Sequence, residues 1–299
     1  MGRLIVITGA TGNLGGRIIE RILKNTDYSI AAILLDFESR QDFLCRYSPI
    51  EQKRIKVIFK SELEEYDLRN ACVVLHLAFA RRNRSFAEIA DSIDYCKKIF
   101  TYFAGQSPEK VIYISSQGIY GNTEQFRRED TEPAPATVYS MAKYAGEKVL
   151  EMAFKDTNIE ICIVRLESVV QSQNLVKALC KSAIDNKKLI IQGGEQTFSY
   201  IDEEDAADAI FLITTQPKKI GGIYNIGPNH MRVTLEQIAQ TIVELCDEAG
   251  FHVEIEMSEG AKMLWAGMDS SKFMKEMAWQ PKTDLKMMVR KILYEMLQR

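Results

Sequence analysis

Leu4-Ile5-Val6-Ile7-Thr8-Gly9-Ala10-Thr11-Gly12-Asn13-Leu14-Gly15-Gly16 decides the fold. Its first five residues form a short, continuously apolar run of the kind that makes a strand buried on both faces. The glycines follow at once, and then Ile18, Ile19, Ile22 and Leu23 recur at helical spacing. Strand, glycine turn and helix in this order are the context in which such a motif cradles phosphate. Glycine permits the tight turn and lets backbone N–H groups approach an anion, while the positive end of the helix faces it. A second strand, Ile30 to Leu35, ends at Asp36, which lies 21 residues beyond Gly15. An acidic side chain there can accept hydrogen bonds from both hydroxyls of an adenosine ribose and repels a 2′-phosphate, so the dinucleotide is read as NAD rather than NADP.

The alternation continues. Ile55 to Phe59 reads as a third strand and Cys72 to Ala78 as a fourth, with Ser61 to Ala71 between them too short for a full crossover helix. His76, inside that apolar strand, reads as a hydrogen-bonded core residue. Ala87 to Phe103 carries Ile89, Ile93, Cys96, Ile99 and Phe100 on one helical stripe. Val111 to Ser116 is a fifth strand ending in two hydroxyls, Ser115 and Ser116. Ligands of parallel sheets sit outside the carboxyl ends of the strands, which places Ser116 at the chemistry. Ile159 to Arg165 is the sixth strand.

Between the last two strands lies Tyr139-Ser140-Met141-Ala142-Lys143, within an amphipathic run whose Ala142, Ala145, Val149 and Met152 keep helical spacing. Residues four apart share a helix face. An ammonium beside the phenol favours tyrosinate, so Lys143 is expected to lower the pKa of Tyr139 and make it a general acid/base.

Beyond Arg165 the regular alternation ends. Helices are expected over Asn174 to Asn186, Ile201 to Thr214, Leu235 to Glu248 and Leu285 to Gln298, with short strands at Leu189 to Ile191 and Tyr224 to Gly227. The expected organisation is α/β: a Rossmann-type doubly wound parallel sheet over residues 1–170, to which about 200–228 return, and a small α+β substrate lobe over 171–299 packed at its open edge.

With 299 residues, 46% of them hydrophobic, 26% charged and a net charge of -3, the chain gives no reason to expect a nucleic acid or an anionic membrane as partner. The basic cluster Arg81-Arg82-Asn83-Arg84 reads as a solvated loop unless a phosphate-bearing substrate lies nearby. Six scattered cysteines and three distant histidines outline neither a disulfide framework nor a metal site. The first strand begins at Leu4 and no apolar run approaches the ~20 residues of a membrane span, so the expected compartment is the reducing cytoplasm.

Gly9 to Gly15, Asp36, His76-Leu77-Ala78, Ser115-Ser116, Tyr120-Gly121 and Tyr139-x-x-x-Lys143 in this order make the chain resemble an extended short-chain dehydrogenase/reductase, specifically the NAD-dependent epimerase/dehydratase family acting on nucleotide sugars. Gly193-Gly194, Phe198 to Asp202, Tyr224 to Gly227, Asp269 to Lys272 and Trp279-Gln280-Pro281 extend the resemblance over nearly the whole chain. It implies that Gly9, Thr11, Gly12, Asn13, Leu14, Gly15, Asp36, Leu77, Ala78, Ser115, Tyr139 and Lys143 hold NAD. It also implies that Tyr139 exchanges a proton with a carbinol hydroxyl, that Ser116 hydrogen-bonds the same oxygen, and that Lys143 holds the nicotinamide ribose. A homodimer through the helices Ala87–Phe103 and Thr137–Lys155 is expected by the same analogy.

The chain departs from the family at informative places. Dehydrating members carry Asp-Glu directly after the catalytic hydroxyl, and here those positions are Gln117-Gly118, which cannot protonate a leaving hydroxyl or remove an α-proton. The family's Asn on the preceding helix is Ser92. The substrate segment after Arg165 reads Leu166-Glu167-Ser168-Val169-Val170-Gln171, and the Arg that grips pyrophosphate is missing from Gln196-Thr197-Phe198-Ser199, with Lys262, Lys177 and Arg81 as candidate substitutes. The expected function is a nucleotide-sugar epimerase. A sugar dehydrogenase or ketoreductase with the same residues, and a non-catalytic NAD-binding regulator, stay open as alternatives.

Overall fold

Residues 3–172, 174–217, 220–260 and 262–298 are described in the computed structural model. Seven strands form the main sheet: β1 (Leu4–Thr8), β2 (Ser29–Leu34), β3 (Ile55–Phe59), β4 (Ala71–His76), β5 (Lys110–Ser116), β6 (Glu160–Leu166) and β7 (Gly222–Ile226). Their order is β3-β2-β1-β4-β5-β6-β7. β1 pairs in parallel with β2 on one side and β4 on the other, Thr8 standing opposite Ile33 and His76. The strand order reverses at β1 and β4, and the carboxyl ends at this switch point are where an open sheet of this type takes its ligand.

Sequence pattern and burial agree in the sheet. Ile5, Val6 and Ile7 of β1 are fully buried, as are Val74 and Leu75 of β4 and Val111 and Ile112 of β5. Among the longer helices between the strands of the sheet are α1 (Asn13–Asn25), α2 (Phe86–Gln106), α3 (Val138–Phe154) and α4 (Glu203–Thr215). A reciprocal capping box starts α2: Glu88 N donates to Ser85 Oγ and Ser85 N donates to Glu88 Oε2. Ile89, Cys96, Ile99, Phe100 and Phe103 of α2 are buried, four of them in one cluster with Val74, Val111, Tyr113, Leu150 and Phe154, so that stripe faces the sheet. Gly146 in α3 is required by close packing, since a Cβ there would lie 2.4 Å from Tyr113 Oη. The short connection between β3 and β4 is a 3-10 turn, Lys60–Glu65, in place of a crossover helix.

The chain divides into two units. The first comprises Met1–Ile119, Pro133–Arg165 and Ala207–Tyr224; the second comprises Tyr120–Glu132, Leu166–Ala206 and Asn225–Arg299. The second unit has a core of its own, in which Leu179 and Cys180 of the helix Asn174–Asn186 meet Ile238, Ile242 and Leu245 of Leu235–Glu248 and Ile292 and Leu293 of Leu285–Leu297. A parallel strand pair, Lys188–Gln192 with Glu254–Ser258, belongs to it. The strand Glu254–Ser258 and the helix Ser271–Met277 escape the sequence reading. The strand keeps an apolar alternation, Val253, Ile255 and Met257, but it is short and four of its five residues are exposed.

Candidate active site

The turn after β1 needs glycine for two separate reasons. Gly9 has φ +74°, and a Cβ on it would lie 2.8 Å from Ala78 N and 3.0 Å from Leu77 C at the end of β4. Gly15 has ordinary backbone angles, but a Cβ there would lie 2.3 Å from the Gly9 carbonyl oxygen, so the first turn of α1 could not close on the loop. Gly12 is the N-cap of α1, with no side-chain cap and no acidic residue in the first turn. The N–H groups of Asn13, Leu14 and Gly15 therefore face outward at the positive end of the helix. Arg46, which no local motif singles out, crosses from 35 residues away to donate from Nη1 to the Thr11 carbonyl at 2.9 Å.

Asp36 stands just beyond β2, and its Oδ1 accepts from Ser39 N at 2.9 Å, which fixes the direction of the carboxylate. Leu35 and Phe37 flank it, 63% and 68% exposed. Apolar side chains left in solvent beside a hydroxyl-accepting carboxylate suit an adenosine. A loop that a Cβ would fill, an uncapped helix N-terminus and this acid together fit a dinucleotide.

Thr8 and His76 lie side by side on β1 and β4, Thr8 Oγ1 2.7 Å from His76 Nδ1, and Thr8 Oγ1 also accepts from Ala78 N at 3.2 Å. His76 is fully buried against Cys96 Sγ, and burial, with the charge of Lys143, pushes its pKa down to about 3. It is a neutral core residue, as read from sequence. Ser115 turns away from the reacting end: its Oγ donates to Glu147 Oε1 at 2.5 Å, and Glu147 is in turn paired with Arg165 at 2.9 Å, both charges almost without solvent exposure. Removing one partner of such a pair leaves an uncompensated buried charge.

Ser116, the last residue of β5, accepts from Gly118 N at 3.1 Å, and a Cβ on Gly118 would stand 3.4 Å from Ser116 Oγ and 3.5 Å from Ser140 Cβ. The segment after β5 thus lies at ordinary contact distance from the first turn of α3, which carries Tyr139, with Lys143 one turn further on. The expected activation of Tyr139 by Lys143 is not found. Lys143 Nζ donates to the Ile114 carbonyl at 2.7 Å and lies 4.1 Å from the centre of the Phe79 ring, whereas Tyr139 meets Phe79 edge-on at 5.9 Å. Burial pushes the Tyr139 phenol up to about 12, and the charge that opposes this is Arg82. Burial also brings Lys143 down to about 8. Local spacing put both residues on one face; only the strand behind them shows that the ammonium is bonded to β5.

Arg82 belongs to a turn closed by Arg84 N donating to the Arg81 carbonyl at 2.9 Å. Ser92 holds the segment before it, accepting from Ala80 N at 2.9 Å while donating to Glu88 O. The basic loop is exposed, as read from sequence, and the charge of Arg82 acts on the phenol pKa against burial. Among the described residues no group of His, Cys, Asp or Glu could hold a metal, and no helix is long and apolar enough to cross a membrane.

The family model of the NAD dependent epimerase/dehydratase family matches residues 5–227, from β1 to just past β7. The chain belongs to this family. Epimerase/dehydratase relatives include an uncharacterized UDP-glucose epimerase of Bacillus subtilis, 24% identical with 94% of each chain covered. The dTDP-glucose 4,6-dehydratase of Escherichia coli is 23% identical over 96% of this chain and 91% of its own. Among solved structures, the UDP-glucuronic acid 4-epimerase of Bacillus cereus in complex with UDP-glucuronic acid and NAD superposes with a TM-score of 0.81 at 20% identity, covering 99% of both chains. This likeness places the epimerase/dehydratase member described here on the Rossmann-type fold of its family, and NAD is the cofactor that the loop after β1 and Asp36 fit.

Gln196, in the segment Gln196 to Ser199 that contains no arginine, has a side chain that serves its own loop. Its Oε1 accepts from Gly194 N at 2.8 Å and its Nε2 donates to Gln192 O at 2.7 Å. Glu167, in the altered segment after β6, is buried with Oε2 lacking a hydrogen-bond partner, beside the equally unpartnered Ser199 Oγ. Gly227 makes room for it, since a Cβ there would lie 2.7 Å from Glu167 Cβ. Burial pushes its pKa up to about 7, against smaller opposing contributions from Ser168 N, Ser199 and Arg127.

Proposed function

We propose that this protein is an NAD-dependent nucleotide-sugar epimerase that works at a carbinol carbon. The reading is supported by Ser116 at the carboxyl end of β5 and by Tyr139 and Lys143 on α3, where Lys143 Nζ bonds to Ile114 of β5, with Gln117-Gly118 where elimination would need two acids. NAD bound at the β1 loop supplies the hydride-accepting chemistry. Tyr139 Oη takes the proton of the carbinol hydroxyl and returns it after the keto intermediate has turned over. Ser116 Oγ donates to that oxygen as charge changes on it. Lys143, an ammonium with three protons, keeps the Ile114 carbonyl and would offer another to the nicotinamide ribose, and Arg82 supplies positive potential at the phenol. Thr11, Gly12, Asn13 and Leu14 line the pyrophosphate, Leu77 and Ala78 border the cofactor where β4 ends, and Asp36 takes the adenosine ribose.

The epimerase and dehydratase relatives support the substrate class, and the missing acids favour the former. The proposal includes a cytoplasmic homodimer. Met141 and Met152 stand 53% and 66% exposed on α3, an apolar surface that a second copy would cover.

The test is incubation with NAD and UDP-, dTDP- and GDP-hexoses, with free sugars and sugar acids as controls, followed by NMR and mass spectrometry. Interconversion of two epimers of unchanged mass without net NADH is the expected result. Stoichiometric NADH production or consumption would instead establish a dehydrogenase or ketoreductase, and no turnover of any of these would favour the regulatory alternative.

A further inference from the structure

The segment just past β4 brings one aromatic ring against both reaction groups of α3. Phe79 is half-buried and packs on the core cluster that holds Tyr113 and Leu150. Its main chain is pinned on either side, Ala78 N donating to Thr8 Oγ1 at 3.2 Å and Ala80 N to Ser92 Oγ at 2.9 Å. The ring centre lies 4.1 Å from Lys143 Nζ, which stands over the ring face. The same ring is perpendicular to that of Tyr139, with 5.9 Å between the two centres.

We infer that Phe79 is a positioning residue of the reaction centre, whose ring holds the Lys143 ammonium on its face and braces the ring of Tyr139. The inference rests on the reading of Tyr139 and Lys143 as reaction groups and names the side chain that orders them. Lys143 is 3% exposed and forms no ion pair among the described residues. Glu147, one turn further along α3, commits its carboxylate to Arg165 and Ser115. The other titratable groups around the ammonium, Cys96 of α2, Tyr113 of β5 and His76 of β4, are kept neutral by burial. A buried cation without a carboxylate needs other electron-rich partners. Here they are the Ile114 carbonyl at 2.7 Å and the faces of two rings, Phe79 at 4.1 Å and Tyr113 at 5.1 Å. The negative face of an aromatic ring attracts a cation more strongly once water is excluded, and Phe79 is the nearer of the two. Burial brings Lys143 down to about 8, so its charge near neutral pH is sensitive to the loss of either partner.

The test is a pH titration of Lys143 by NMR of lysine-labelled protein in wild type, Phe79→Leu and Phe79→Tyr, with Lys143→Arg identifying the resonance. Leucine keeps apolar volume without a ring face, and tyrosine keeps the face. The Lys143 titration should fall by about half a unit to one and a half units in Phe79→Leu and return close to the wild-type value in Phe79→Tyr. Phe79→Met, also without a ring face, repeats the measurement should leucine fail to pack. NAD affinity of Phe79→Leu should match wild type at pH 5.5, where Lys143 is charged in both, and be severalfold weaker at pH 8.5. An unchanged Lys143 titration in Phe79→Leu overturns the inference, as does equal lowering in the Leu and Tyr variants. An NAD affinity reduced equally at both pH values marks a merely structural effect and also overturns it. A titration that shifts as expected while no nucleotide sugar is epimerised leaves the positioning role standing and removes the epimerase reading.

Discussion

Lys143 Nζ donates to the main-chain oxygen of Ile114 at 2.7 Å, so the ammonium four residues after the candidate acid/base is bonded to the middle of the sheet. Both groups are buried, and a buried carbonyl deprived of its donor is costly.

Lys143→Ala should therefore cost about 1–3 kcal/mol of stability, for the orphaned Ile114 oxygen, in addition to lowering activity. Tyr139→Phe separates the two effects. It should lower kcat by about 10²–10⁴ through loss of the proton carrier while leaving the melting temperature and NAD affinity near wild type. Chemical denaturation beside steady-state kinetics checks this, and equal kcat values for wild type and Tyr139→Phe would remove Tyr139 from the mechanism.

Arg82 is the charge that holds the Tyr139 phenol below the value that burial alone would give. Arg82→Ala should raise the phenol pKa further, so the limb of the pH profile of kcat/KM that reports tyrosinate should move to higher pH, with activity at neutral pH falling severalfold. Arg82→Lys should restore the wild-type limb. The NAD-loaded enzyme assayed across pH distinguishes this from a solvated surface charge, for which the limb would stay in place.

Asp36 has a carboxylate aimed by Ser39 N. Asp36→Ala should weaken NAD binding by about 10- to 100-fold, the loss of charge-assisted bonds to ribose hydroxyls, and should weaken NADP binding less or not at all. Fluorescence titration with both cofactors measures the ratio; equal wild-type affinities for the two would overturn the role given to this residue.

Glu167 has its folded-state pKa raised from the ordinary 4.5 to about 7 by burial. Between these values the folded protein holds a proton that the unfolded chain has released. The contribution of this group to stability is thus complete below about pH 4.5 and is lost as pH rises through 7, in total about 3 kcal/mol. Glu167→Gln should flatten the fall in stability over that window and make the variant relatively more stable at pH 8. Urea denaturation at pH 5, 6, 7 and 8 would show it, and parallel curves for the two proteins would not be compatible with a titrating Glu167.

Which parts of the molecule were legible in the sequence follows from range. The bounds of the helices Asn174–Asn186 and Leu235–Glu248 coincide with the sequence reading, because apolar spacing and capping are local, as when Thr234 Oγ1 accepts from Gln237 N at 3.1 Å. The abbreviated link between β3 and β4 was legible from its length alone. The strand Glu254–Ser258 was not, since its alternation of Ile255 and Met257 spans only a few residues and its pairing with Lys188–Gln192 comes from main-chain bonds to a segment more than sixty residues away.

From the sequence alone one obtains the strand, glycine turn and helix, the acid at Asp36, the shared helix face of Tyr139 and Lys143, and the missing elimination acids. Each depends on backbone sterics or side-chain chemistry within a few residues. Tertiary structure alone decides that Lys143 bonds to Ile114, that Ser115 turns to the buried Glu147–Arg165 pair and that Arg46 reaches Thr11. In each, a polar group is satisfied by whichever partner packing brings to it, and spacing along the chain carries no record of that choice.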